Sequence, residues 1–129
     1  MRNNRTAGNN YELVIVNDLK AIGYDVVTSR AESRNMDAKK VDVFSPEGSS
    51  NPLPIYIQTK NMKDNFKVAD YYEENKDVFP KDKPLVIIHK KTKKAKTNFL
   101  TQGEFCYMEK KTLYWMLEQI KQLKKNKKQ

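Results

Sequence analysis

Val41-Asp42-Val43-Phe44-Ser45-Pro46-Glu47-Gly48-Ser49-Ser50-Asn51-Pro52-Leu53-Pro54-Ile55-Tyr56-Ile57-Gln58-Thr59-Lys60 is the stretch on which the fold turns. Its two ends read as strands: 41–44, which is short, and 55–60, which is β-branched at alternate positions. The middle, 45–54, concentrates Ser, Pro, Gly and Asn and reads as a turn or hairpin loop. Successive strand side chains point to opposite faces. Asp42 is therefore expected opposite Val41 and Val43, while Gln58 and Lys60 share a face opposite Ile55 and Ile57. Aspartate is depleted in strands, so Asp42 asks for a reason, although an exposed sheet face would supply a plain one. If the strands pair through the turn, Asp42 and Gln58 become neighbours.

Upstream, Asn9 or Asn10 can cap a helix running to about Ile22. In it Ile15, Val16, Leu19 and Ile22 keep the spacing of a buried stripe. Gly23 stands where helices end, and 25–29 reads as a strand. Glu12 lies three and four residues before Ile15 and Val16, which puts it on the apolar stripe, one turn from the expected helix start. A first-turn acid also has an ordinary explanation in the helix dipole, worth roughly 0.3–1 kcal/mol. Residues 30–40 carry both charges and read as a loop.

Downstream, 61–67 is a polar connection, and 68–78 a helix with Val68, Tyr71 and Tyr72 on one side. The fully apolar 85–88 is expected at the sheet centre. The Lys-rich 90–96 reads as a loop and 104–108 as a weaker strand. The last helix, 110–123, has a stripe of Leu113, Met116, Leu117, Ile120 and Leu123. The order α-β-β-β-α-β-β-α predicts an α/β domain, a mixed central sheet flanked by helices, over 9–123. A flexible basic arm (1–8) precedes it and a Lys-rich tail (124–129) follows.

With 129 residues, the chain has room for one core. Its single Cys and single His exclude an internal disulfide and the usual four-ligand zinc site. The longest apolar run is strand-sized, and Met1 to Asn10 has two Arg with no apolar core behind them, unlike a signal peptide. The expected location is the cytoplasm. A net charge of +9, clustered at 90–96, at 121–128 and at Arg2 and Arg5, favours a polyanion. Nucleic acid ranks ahead of an anionic membrane, because these clusters lack apolar anchors on an opposite helical face.

Two oxygen donors, Asp42 and Gln58, would thus converge with Lys60, and Glu12 would reach in from the helix. Phosphodiester hydrolysis needs such a set. Mg²⁺ takes one or two carboxylates together with water and substrate phosphate. A nearby lysine orients or deprotonates the attacking water, or offsets developing negative charge.

A helix Glu, a strand Asp and a hairpin to an (Asp/Glu/Gln)-x-Lys strand resemble the PD-(D/E)xK, restriction-endonuclease-like nucleases. Within them the chain looks most like the archaeal-type Holliday junction resolvases and their phage relatives. The basic 2–12 segment ending in Tyr11-Glu12, the Gly23-to-Arg30 segment, Val41-Asp42-Val43 and Gln58-Thr59-Lys60 carry the likeness, which covers residues 1 to about 91. The resemblance implies Glu12, Asp42 and Gln58 as ligands of Mg²⁺ or Mn²⁺ and Lys60 as the catalytic lysine. It also implies a DNA-contacting set of Arg2, Arg5, Arg30, Arg34 and Lys63, with Ser29 or Ser33 touching phosphate, and a homodimer that nicks four-way junctions. Gln58 departs from the pattern, which has an acid there; it keeps a ligating oxygen but brings no charge. Glu32 or Asp37 would compensate, or the protein would bind DNA without cutting it. A repair or restriction-type endonuclease is the other enzymatic reading. Among the remaining residues, His89 reads as structural or exposed, Cys106 as a buried small hydrophobe, and Tyr114 and Trp115 as core.

Overall fold

Tyr11, Ile15, Val16 and Leu19 recur at helical spacing and bury one face of a long first helix, α1 (Asn4–Ile22). The computed structural model describes the backbone of residues 4–127 and the side chains of residues 10–126. α1 begins well before the expected cap, so 4–8, read as an arm, are helical; Arg5 lies in α1, and Arg2 lies outside the described residues. Gly23, at φ 118°, ends the helix as expected, with the amides of Gly23 and Tyr24 bonded back to Lys20 and Leu19 carbonyls. Ile22, expected in the buried stripe, is 71% exposed at that end.

The sheet is mixed and five-stranded, in the order β1 (Val27–Thr28), β2 (Val43–Phe44), β3 (Tyr56–Met62), β4 (Leu85–Ala95), β5 (Asn98–Tyr107). Among the described strand pairs, β3–β4 alone runs parallel. A parallel pair cannot be closed by a tight turn, and the crossover between them carries the helix α4 (Val68–Asn75). α1 covers one face of the sheet over Val43, Ile57 and Ile88. Phe79 and the α4 tyrosines cover the other, over Phe44, Tyr56, Leu85 and Ile87. β3, not the 85–88 strand, is the middle of the five.

Further segments differ from the sequence expectation. Residues 30–40 form two short helices, α2 (Ser29–Glu32) and α3 (Arg34–Ala38), and Ser33 caps α3 by accepting from the Met36 amide at 3.2 Å. The Lys block at 90–96 is not a loop: β4 runs through it to Ala95. Backbone pairing with β5 sets that strand, while the Lys90 ammonium lies 5.7 Å from the Tyr11 ring centroid and Lys91 bonds Asn65. The last helix, α5 (Lys110–Lys127), extends into the expected tail at residues 124–127.

The apolar stripe of α5 forms, but the described residues do not cover it. Leu113, Leu117, Ile120 and Leu123 are 45%, 52%, 51% and 62% exposed, and Tyr114 is exposed as well. β5 is the outer strand, so Cys106, expected buried, is exposed too. Among the described residues no helix is long and apolar enough to cross a membrane.

Candidate active site

The β2–β3 register pairs Val43 with Ile57, which sets Asp42 against Gln58. Alternation slips just there. Val41 packs in the cluster on the α4 side and Val43 in the one under α1, so Asp42 is not a face residue of a regular strand. Its amide still donates to the Ile57 carbonyl at 2.8 Å, while its side chain takes the place of the next backbone acceptor. Asp42 Oδ2 accepts from the Thr59 amide at 2.8 Å and the Thr59 hydroxyl at 3.3 Å. An aspartate ends the strand because its carboxylate satisfies a donor the ladder would otherwise leave open. Those bonds fall on one oxygen, and Oδ1 takes none among the described residues. Burial pushes the Asp42 carboxyl above the usual range, against the pull of the Thr59 bonds, Lys60 and Arg30.

Glu12 is 3% exposed on the packed face of α1. Because α1 begins at Asn4, Glu12 sits two turns inside it, too far along for the first-turn dipole explanation. The Arg30 Nε donates to both of its oxygens, at 3.2 and 3.1 Å. Burial and then the Asp42 charge push the Glu12 carboxyl up, and Arg30 draws it down.

Gln58 and Lys60 do share a face of β3, as the period predicts, and both meet Tyr71. The Tyr71 hydroxyl donates to Gln58 Oε1, and Lys60 Nζ lies 5.0 Å from the Tyr71 ring centroid and 5.9 Å from that of Phe66. Burial pushes the Tyr71 phenol up to about 12, so it stays a donor at neutral pH. Burial also holds the Lys60 ammonium below the usual lysine range; Asp42 opposes this and Lys40 adds to it. The four candidates thus meet around Asp42.

Tyr71, Thr59 and the Arg30–Glu12 pair were not legible as parts of this site. Tyr71 carries the same spacing signal as a core residue, and Thr59 acts mainly through its backbone. Ser29 is 1% exposed, with its hydroxyl directed at Asp37 at 3.4 Å. Ser33 is committed to its cap, and Arg34 and Lys63 are exposed. His89 is fully buried between the Tyr107 hydroxyl and the Met62 carbonyl, a structural role. A cleft of about 650 Å³ lined by Tyr72, Phe79, Pro84, Leu85, Thr112 and Trp115 includes none of the four.

Among the described residues no three of His, Cys, Asp and Glu lie together as a ligand set. The oxygen donors available are two carboxylates and one amide oxygen. That set suits Mg²⁺ or Mn²⁺, which complete their shells with water and phosphate, and not a cation needing an all-protein cage. Of the two compensating acids the sequence offered, Glu32 is exposed, while Asp37 accepts from the Ser29 hydroxyl at 3.4 Å and its charge helps to raise the Glu12 carboxyl. The chain matches no family model, no curated protein and no solved structure.

Proposed function

We propose that the chain is a Mg²⁺- or Mn²⁺-dependent endonuclease of the restriction-endonuclease-like type, cutting phosphodiester bonds of branched DNA in the cytoplasm in the manner of a Holliday junction resolvase. One observation carries this reading. Glu12, Gln58 and Lys60, from α1 and β3, gather around the half-buried Asp42 carboxylate at the head of β2, and Glu12 and Gln58 are themselves buried. Buried, charge-perturbed groups gathered from separate elements are costly to keep and cluster at functional sites. Glu12, Asp42 and the Gln58 amide oxygen would hold the cation, which supplies positive charge to phosphoryl oxygens and lowers the pKa of a water. Lys60 Nζ, which holds its proton less tightly than a surface lysine, exchanges one with the attacking water or offsets charge on the phosphate. Tyr71 fixes the Gln58 amide by its hydrogen bond. Exposed Arg34 and Lys63 supply cations to the DNA backbone.

The partner on the protein side is a second copy. A junction offers two symmetric strands to nick, so two sites related by a twofold axis suit it. The uncovered α5 stripe supplies an apolar surface for that pairing.

A second reading is a DNA-binding protein without cleavage. It is favoured by Gln58, which brings no charge, and by the existing engagement of Glu12 with Arg30. Purified protein with Mg²⁺ or Mn²⁺ on four-way, flap and linear DNA separates these. Junction cleavage that Asp42→Asn abolishes supports the proposal. Equal cutting of linear DNA favours a repair or restriction-type enzyme. Salt-sensitive binding without any cutting favours the binding module.

A further inference from the structure

Glu12 and Arg30 form an unequal pair. The acid is fixed, its side chain 4% exposed on the packed face of a long helix, while the Arg30 side chain is 43% exposed and rises from a four-residue helix. The contact is also not the strong form. A guanidinium grips a carboxylate best with two parallel N–H groups. Here a single donor, Nε, is shared between both Glu12 oxygens at 3.1 and 3.2 Å, and the two Nη groups make no bond to Glu12. One shared donor therefore lies against both oxygens through which Glu12 would meet a cation.

We infer that the Arg30 guanidinium holds the place of a divalent cation against Glu12 and yields it when the cation binds, which frees the side chain for a DNA phosphate. This rests on the cation site proposed above and adds its regulation. Without the cation, Arg30 supplies the positive charge that two neighbouring carboxylates need. With it, Glu12 turns to a doubly charged partner, and a surplus guanidinium is left at the mouth of the site. Its five donors suit a phosphate. Cation and substrate then bind with positive coupling, because the first removes the group that competes with it and presents that group to the second.

Mn²⁺ titration calorimetry without DNA tests this on four proteins: wild type, Arg30→Gln, Arg34→Gln and Asp42→Asn. Removing the competitor tightens Mn²⁺ binding in Arg30→Gln by about tenfold. Arg34→Gln deletes the same charge from an exposed residue that makes no Glu12 contact, and changes affinity by less than about twofold. In a second arm, junction binding is read by fluorescence anisotropy with EDTA and with Ca²⁺, and the affinity lost in Arg30→Gln is larger with Ca²⁺. Should Arg30→Gln fail to fold, Arg30→Lys keeps the charge but not the shared Nε contact, and shifts Mn²⁺ affinity in the same direction by a smaller factor. If Asp42→Asn loses Mn²⁺ binding while the Arg30 variants match or fall below wild type, the competition is overturned and the cation site stands. Equal tightening in Arg34→Gln and Arg30→Gln also overturns it, since general charge would then account for the effect. If none of the proteins binds Mn²⁺, the cation site and this inference fall together.

Discussion

Burial raises the carboxyl pKa of both Asp42 and Glu12, and the direction of that shift fixes a pH dependence. Between the ordinary carboxyl value and the raised folded value, the native state holds more protons than the unfolded chain. Stability therefore falls as pH rises through that window, and the loss is complete above the folded pKa. Asp42→Asn removes one of the two groups. Its unfolding midpoint in urea should decline less than that of wild type between about pH 4 and about pH 7. A decline as steep as wild type would mean that Asp42 is not the group responsible. The same variant should abolish cleavage, because it removes one of only two formal charges among the proposed ligands, while junction binding persists. Lys60→Ala should lower the cleavage rate by about 10²–10⁴-fold and weaken binding slightly. Gln58→Glu reports on the missing acid of the (Asp/Glu)-x-Lys spacing: a true ligand position keeps activity or lowers the Mg²⁺ requirement. If Asp42→Asn and Lys60→Ala both leave cleavage by contaminant-free protein intact, the site is wrongly assigned.

α3 ends in a turn whose logic is set by one residue. The Val41 amide reaches back to Met36 and the Lys40 amide to Asp37, with Lys40 at φ 67°. The left-handed conformation costs a non-glycine residue about 1–2 kcal/mol, and glycine loses about 0.5–1 kcal/mol in extra chain entropy. Lys40→Gly should thus stabilise the fold by a net ~0.5–1 kcal/mol, read as a higher urea midpoint at unchanged m-value; a lower midpoint would show that the lysine side chain itself supports the turn. Nothing in the Lys39-Lys40 pair announced this turn, because the usual glycine is absent. α1, β3 and the meeting of Gln58 with Lys60 on one face were legible, because helical spacing and strict alternation are local signals. The strand at 90–95 was not, since its pairing lies in the backbone and its lysines mimic a solvated loop. Nor was the slip at Asp42: period-two reasoning assumes an unbroken strand, and this one stops where a carboxylate replaces a carbonyl. The stripe of α5 was legible, but its exposure was not, because periodicity gives a face and not what covers it.

At the scale of the whole molecule, charge and the uncovered α5 face make separate demands on the same helix. A glutamate at Ile120, which is 51% exposed, should leave monomer stability within about 0.5 kcal/mol. If two copies pair through this stripe, sedimentation at micromolar concentration should show a wild-type dimer and an Ile120→Glu monomer. A wild type that sediments as a monomer, with or without DNA, would remove the twofold arrangement that paired nicking needs. DNA affinity is governed by the other property, the net charge of +9. Each phosphate neutralised by a lysine or arginine releases a counterion, so log affinity should fall linearly with log salt, at about 0.9 for each phosphate neutralised. Deleting residues 124–129 removes Lys124, Lys125, Lys127 and Lys128, and of these residues 124–126 are exposed on α5 beyond Leu123. Since residues 124–126 are exposed, the truncated protein should keep its unfolding midpoint while its salt slope becomes shallower in proportion to the phosphates those lysines neutralise. An unchanged slope would place the binding surface elsewhere, and a fall in the midpoint would show that the last turn of α5 is covered in solution by a second copy.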